Sequence, residues 1–230
     1  MHLGQMEFDL LRRHCLSLGF PLTEEQMLQF SGFEQALYQT NQTTNLTRVP
    51  PEQFETRHLL DSLLFLDLIP GNAELLDIGC GPGFPCWPIA CARPDVKVLG
   101  MDSANKMIQF LKSVKLPNLW AKTIRAEERP YRDQFDVVTG RALAPLAIQL
   151  ELSALPCRVG GAIVPMRTES EREAIEEFPA AQLALILEAI IERELPGADA
   201  KRLFPIFRKA GPTPQKYPRS WAEIRRRPMG

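Results

Sequence analysis

Residues 74–84 read Glu74-Leu75-Leu76-Asp77-Ile78-Gly79-Cys80-Gly81-Pro82-Gly83-Phe84. An apolar run closes on an acid, and glycines follow at alternate positions. The run predicts a strand buried on both faces. The glycines predict a tight loop poor in side chains, where a ligand can reach bare backbone. Working outward, short apolar runs at 75–78, 97–101, 121–124, 135–139 and 162–166 predict further strands. Helical spacing separates them at 84–92, 106–114 and 146–155. This alternation predicts an α/β fold with a mainly parallel, doubly wound sheet. Residues 183–191 and 202–208 predict a C-terminal antiparallel hairpin.

Before the first strand the rhythm differs. Apolar positions three and four apart predict helices over 5–17, 24–39 and 52–68, the second capped by Thr23. We therefore expect an N-terminal helical extension over residues 1–70, a sheet domain over 71–210 and a basic, irregular tail over 211–230.

Composition narrows the class. At 230 residues and 45% hydrophobic content, the chain suffices for one ordinary core with a small extension. Of its 27 basic and 28 acidic side chains, residues 201–230 hold nine basic and one acidic. That leaves 18 basic and 27 acidic in residues 1–200. A positive end on a negative body suits a polyanionic partner touched on one side, or else a solvated terminus. The five cysteines are odd in number and lack C-x-x-C spacing, and the three histidines are dispersed. We expect reduced cysteines, no metal site, no membrane span and a cytoplasmic protein.

In a sheet of this kind ligands sit beyond the carboxyl ends of the strands. The first strand brings Asp77 and the Gly79/Gly81/Gly83 loop, whose N–H groups, with the following helix N-terminus, suit an anionic group. The second brings Asp102, placed to accept from both hydroxyls of a ribose or to cap the next helix. The third brings Ala126-Glu127, to read an adenine edge or to stand among solvated charges. The fourth brings Arg141, at the mouth of the site or in a surface ion pair. The glycine spacing separates two nucleoside cofactors. A dinucleotide loop would need glycine where Phe84 stands, whereas G-x-G-x-G with an acid two residues earlier is the usual pattern of S-adenosylmethionine-dependent methyltransferases.

The chain also contains Asn45-Leu46-Thr47, Arg57-His58-Leu59-Leu60-Asp61-Ser62, Asp102-Ser103-x-x-Lys106, Arg125-Ala126-Glu127 and Arg141-Ala142. With the glycine loop, these strings resemble the ribosomal RNA small-subunit methyltransferase G family, also called the glucose-inhibited division protein B family. The Arg-His-x-x-Asp-Ser element is its specific part, and the Thr213-to-Arg219 stretch is similar too. The resemblance implies a Rossmann-like class I methyltransferase fold. It implies methyl transfer from S-adenosylmethionine to N7 of a guanine in 16S ribosomal RNA, free or in the small ribosomal subunit. The family's cofactor contacts fall on Gly79, Phe84, Ala126, Glu127 and Arg141; Asp77, Gly81, Gly83 and Asp102 join them from the strand-end argument. Three positions depart from the family pattern: Cys86-Trp87 after Phe-Pro, Gly140 before Arg141, and Arg167-Thr168 after the fifth strand.

Guanine N7 carries a lone pair and no proton at neutral pH, so no catalytic dyad is expected; placement is the task. His58 is expected to be structural, with orientation of the base as its other reading, and Lys106 to meet RNA phosphate or to open a helix. Tyr217, Trp221 and Arg225 to Arg227 offer cations beside aromatic faces for RNA. Removing residues 211–230 should then weaken RNA binding and spare cofactor binding. Two rival readings are an NAD-dependent oxidoreductase, opposed by Phe84, and a non-catalytic RNA-binding module, opposed by the intact glycines and Asp102.

Overall fold

A computed structural model of the chain describes residues 8–229. The chain opens with two helices, α1 (Asp9–Ser17) and α2 (Glu24–Asn41). Residues 5–7 of the first expected helix, and His2, lie outside the described residues. Thr23 caps α2 in a reciprocal box with Gln26, satisfying two orphan N–H groups.

The single helix expected over 52–68 is broken up instead. A 3₁₀ turn (Pro51–Gln53) leads into a π-helical stretch (Glu55–Leu60), a short α3 (Asp61–Leu63) and a second 3₁₀ turn (Leu66–Leu68). Nearly every side chain from His58 to Leu66 is buried, so no solvent face remains to reward one straight amphipathic helix. The widened turn lets His58, Asp61 and the carbonyl of Arg57 meet a single guanidinium, described below. Widened turns of this kind are common at functional sites.

The sheet follows: β1 (Glu74–Ile78), α4 (Cys86–Ala92), β2 (Lys97–Asp102), α5 (Asn105–Ser113), β3 (Leu119–Thr123), β4 (Phe135–Arg141), α6 (Leu146–Ala154), β5 (Cys157–Thr168), α7 (Arg172–Glu176), β6 (Leu185–Glu194), β7 (Lys201–Lys209) and α8 (Trp221–Arg226). The strand order is β3-β2-β1-β4-β5-β7-β6. β1 to β5 run parallel, and β7 is antiparallel to both β5 and β6. The order reverses between β1 and β4, the switch point where such sheets open a crevice. The register also sets Arg202, the second residue of β7, opposite Thr168 at the end of β5.

One core joins the N-terminal segment to the sheet. Phe33 of α2 stacks on Trp87 of α4 at 4.1 Å and meets Phe84 and Phe110 edge-on. The C-terminal stretch differs from the irregular tail expected. Tyr217 and Ile224 are buried, and Ser220 caps α8 in a box with Glu223. Arg219 grips the fully buried Glu151 of α6 through its backbone N–H and its guanidinium, at 2.6–3.2 Å. An acid buried inside α6 is not readable as the partner of an arginine 68 residues later, so the anchoring was invisible in the sequence.

Candidate active site

The carboxyl ends of β1, β2 and β3 border a cleft of about 120 Å³. Ile78, Met101 and Ile124 give it apolar walls, and Asp102, Ser103 and Glu127 give it polar ones. Gly79, Ala126, Leu143 and Trp221 are also among its walls. Of the residues proposed from sequence, Gly79, Asp102, Ala126 and Glu127 thus meet in one place.

Gly79 adopts φ +73°, and a Cβ there would overlap Cδ1 of Leu143. Gly83, at φ +124°, would set a Cβ 3.0 Å from Leu111 and 3.1 Å from Trp87. Both positions would strain a side chain through their positive φ, and a Cβ at either would require a neighbouring side chain to shift. Gly81 differs: no heavy atom lies within 4 Å of its virtual Cβ, so the loop is open to a ligand there.

The N–H groups of the loop do not point at an anion as expected. Those of Gly79 and Cys80 donate to the carbonyl of Met101, those of Gly83 and Phe84 to that of Cys80. The Gly81 N–H donates to Asp102 Oδ2 at 2.9 Å, while Ala104 N–H donates to Oδ1 at 2.8 Å. A turn this tight closes on itself, and Asp102 pins it. Each Asp102 oxygen keeps further acceptor capacity for a hydroxyl.

Asp77 is not in the cleft. It lies fully buried beneath the loop, where Oδ2 accepts from Cys86 N–H at 3.0 Å. That contact starts α4 two residues later than the sequence suggests. Burial pushes the carboxyl up to about 7, against the lowering effect of the Cys86 N–H, and Oδ1 has no partner. Asp77 thus holds loop and helix together from below.

Arg141 lines a second cavity at the carboxyl ends of β4 and β5, and Phe84 packs behind it against His58. The cavity measures about 370 Å³, and Arg57, His58, Asp61, Arg141, Arg167 and Arg202 are among its walls. Arg141 donates to the Arg57 carbonyl at 2.9 Å, to Asp61 Oδ2 at 3.1 Å and to His58 Nδ1 at 3.2 Å. Its guanidinium also lies 5.1 Å from the Phe84 ring centroid. Asp61 Oδ1 accepts from Arg202 Nε at 2.7 Å, so one carboxylate joins two arginines. His58 stacks flat on Phe84 at 4.0 Å. Burial, with Arg141 and Arg57 nearby, pushes its imidazole down to about 3. The ring is therefore neutral at pH 7. Its Nδ1 accepts from Arg141, which leaves Nε2–H to donate to Thr47 Oγ1 at 2.8 Å. His58 is built as a brace, in line with its expected structural role.

Arg202 and Thr47 were missed. Arg202 stands 141 residues from Asp61, and only the pairing of β5 with β7 brings it near. Trp221 was assigned to RNA but lines the first cleft. Lys106 donates to the Asn45 carbonyl at 2.7 Å.

The sequence compares with known proteins across nearly its whole length. Residues 26–201 match the family model described as rRNA small subunit methyltransferase G. The ribosomal RNA small subunit methyltransferase G of Limosilactobacillus reuteri is 35% identical over 217 residues, 87% of this chain and 90% of that one. Its namesake from Pelotomaculum thermopropionicum is 31% identical, covering 96% and 98%. The chain belongs to the rRNA small subunit methyltransferase G family. It is a methyltransferase. Solved structures agree on the Rossmann-like fold. A TehB-like SAM-dependent methyltransferase from Corynebacterium glutamicum superposes with a TM-score of 0.55 at 18% identity, over 76% of this chain and 98% of that one. A ribosomal protein L11 methylase from Lactobacillus delbrueckii gives 0.54 at 14%, over 72% and 82%.

Within this methyltransferase G chain the three departures have local explanations. Cys86 packs its sulfur toward Gly100, where a Cβ would come within 2.9 Å. Trp87 stacks on Phe33 and donates Nε1–H to the Val114 carbonyl at 2.7 Å. Gly140 leaves no room for a Cβ, which would lie 2.7 Å from the Ile78 carbonyl. Arg167 is 5% exposed and donates to the Ala144 carbonyl, Glu171 and Gln149. It braces the turn after β4.

Proposed function

We propose that this protein methylates N7 of a guanine in 16S ribosomal RNA, with the cofactor's adenosine in the 120 Å³ cleft and the guanine entering the arginine-walled cavity. The carrying observation is that the two spaces open at neighbouring strand ends about the switch point of the sheet, the cleft at β1 to β3 beside Gly79 and the cavity at β4 and β5 beside Arg141. The residues fit this cofactor: Gly81 is open, and the cleft joins apolar walls to Asp102 and Glu127. Asp102 would accept from ribose hydroxyls, and Ala126 and Glu127 would meet the adenine edge.

When bound, S-adenosylmethionine would supply a sulfonium methyl: N7 would bond to its carbon as the carbon–sulfur bond breaks, S-adenosylhomocysteine would leave as the neutral thioether, and the positive charge would pass to the guanine. The protein's share is placement and charge. His58 is locked neutral between Arg141 and Thr47 and takes no proton. None is needed, because N7 attacks through a lone pair. Four arginines against Asp61 and Glu171 leave the second cavity net positive, which suits an RNA phosphate next to the guanine. Arg225 to Arg227, exposed at the end of α8, add to that field. We place the protein in the cytoplasm, a reading that its five free, buried cysteines support.

Thermal shift tests the cofactor half: S-adenosylhomocysteine should raise Tm and NAD should not. Incubation with labelled methyl donor tests the rest. Absence of label from both naked 16S RNA and small subunits would refute the proposal.

A further inference from the structure

The C-terminal stretch brings an aromatic side chain to a place the strand-end logic does not predict. Trp221 is the first residue of α8, yet it borders the same cleft as Asp102, Ala126 and Glu127. It packs against a cluster formed by Ile148, Leu152 and Ile224, with Ala126 and Leu143 alongside. Leu143 is the residue whose Cδ1 crowds Gly79, so Trp221 and the glycine loop share a neighbour.

The position of the indole is fixed from three sides. Arg219 clamps Glu151 of α6 two residues earlier. Arg129, just beyond the Ala126-Glu127 turn, donates to the Pro218 carbonyl at 2.6 Å. Ile224, one turn later, is fully buried. Trp221 itself stays half-buried, its burial incomplete on the cleft side. A tethered, half-buried aromatic beside a cleft with apolar and polar walls has a ready use: stacking on a base.

We propose that Trp221 is a cofactor-contacting residue, its indole forming one wall of the adenine subsite. The inference rests on the reading of the cleft as the cofactor's. It gives the basic C-terminal stretch a second role and reverses one expectation from sequence: removing residues 211–230 should weaken cofactor binding as well as RNA binding.

The chain has three tryptophans, which makes the test optical as well as calorimetric. Trp87 is buried against Phe33, and Trp120 is exposed on β3. Titration with S-adenosylhomocysteine should change the tryptophan emission of the wild type and of Trp120→Phe, and leave that of Trp221→Phe unchanged. By calorimetry, Trp221→Ala should weaken S-adenosylhomocysteine about 10-fold, the worth of one stacked base, and Trp221→Phe about 3-fold or less. The aromatic replacement preserves the packing of α8, so a fold defect in the alanine variant does not decide the result. Wild-type affinity in Trp221→Ala, or a retained emission change in Trp221→Phe, would overturn the proposal. Loss of RNA affinity with unchanged cofactor affinity would overturn it too, assigning the indole to RNA instead. If the wild type bound no S-adenosylhomocysteine at all, the cofactor reading would fall first and take this inference with it.

Discussion

The cleft at the ends of β1 to β3 and the cavity at the ends of β4 and β5 are built differently. The cleft is assembled largely from successive strand ends, each contributing a residue or two within a few positions of its strand. The arginine cavity is assembled from segments far apart: the π-helical stretch, the end of β4 and the start of β7, joined by contacts spanning 80 to 141 residues. The first depends on backbone geometry and short side chains, the second on a charge network. The difference teaches where each is vulnerable. The cleft should fail by losing affinity, the cavity by losing structure.

The largest effect should follow Asp61→Ala. It strips Arg141 and Arg202 of their shared carboxylate, leaving two guanidinium groups in a mostly enclosed space. Denaturant unfolding should show a loss of about 3 kcal/mol, less than for a fully buried pair because both arginines retain some solvent. Methyl transfer should fall with it. A variant as stable as wild type would show that the network contributes little.

Next, if the cleft holds the cofactor as proposed, Asp102→Ala should weaken S-adenosylhomocysteine by about 30-fold while stability drops by only about 1 kcal/mol, since the loop loses its pin and the proposed ribose contact its acceptor. Calorimetry beside a denaturant curve separates the two quantities. If stability fell as much as for Asp61→Ala, the contrast between cleft and cavity would collapse.

Gly79→Ala should cost about 1–2 kcal/mol through its positive φ and the collision with Leu143. Gly81→Ala, with open space around it, should cost less in stability and more in cofactor affinity. Equal stability losses at the two positions would argue against this division.

The smallest effect concerns pH. His58 binds its proton at about 3 in the folded protein against an ordinary value of 6.5. Between those values the unfolded chain binds more protons, so this residue makes stability fall as pH drops below 6.5. Asp77 acts in the opposite sense. Its carboxyl is raised to about 7, so the folded state holds the extra proton and stability falls as pH rises from about 4 to 7. Wild-type curves mix the two, and paired variants separate them. Relative to pH 8, His58→Gln should lose about 1–2 kcal/mol less than wild type at pH 5. An identical pH profile would refute the neutral, buried imidazole.

The same contrast decides how much was legible in the sequence. β1 to β5 and the cleft residues Gly79, Asp102, Ala126 and Glu127 follow from local pattern, because parallel strands place their ends on one edge. The internal closure of the loop N–H groups was not legible, since whether a tight turn donates inward or outward depends on the neighbouring strand's carbonyls. Asp77 read as a ligand contact because sequence cannot tell an acid under a loop from one above it. The helix expected over 52–68 failed for another reason. Its apolar residues are buried all round, and periodicity carries no signal there. Arg202 and Trp221 needed the antiparallel pairing and the Arg219–Glu151 clamp, neither of which leaves a local trace.

Methyl transfer to guanine N7, with the cofactor in the cleft and the guanine in the arginine-walled cavity, is the proposal on which the rest depends. It is tested most directly by incubating the protein with S-adenosylmethionine and unmodified 16S ribosomal RNA, then mapping N7-methylguanine by reduction and strand cleavage. The account predicts one new cleavage site, lost with Asp102→Ala. Methyl groups found only on ribose, on exocyclic amines or on protein would contradict it.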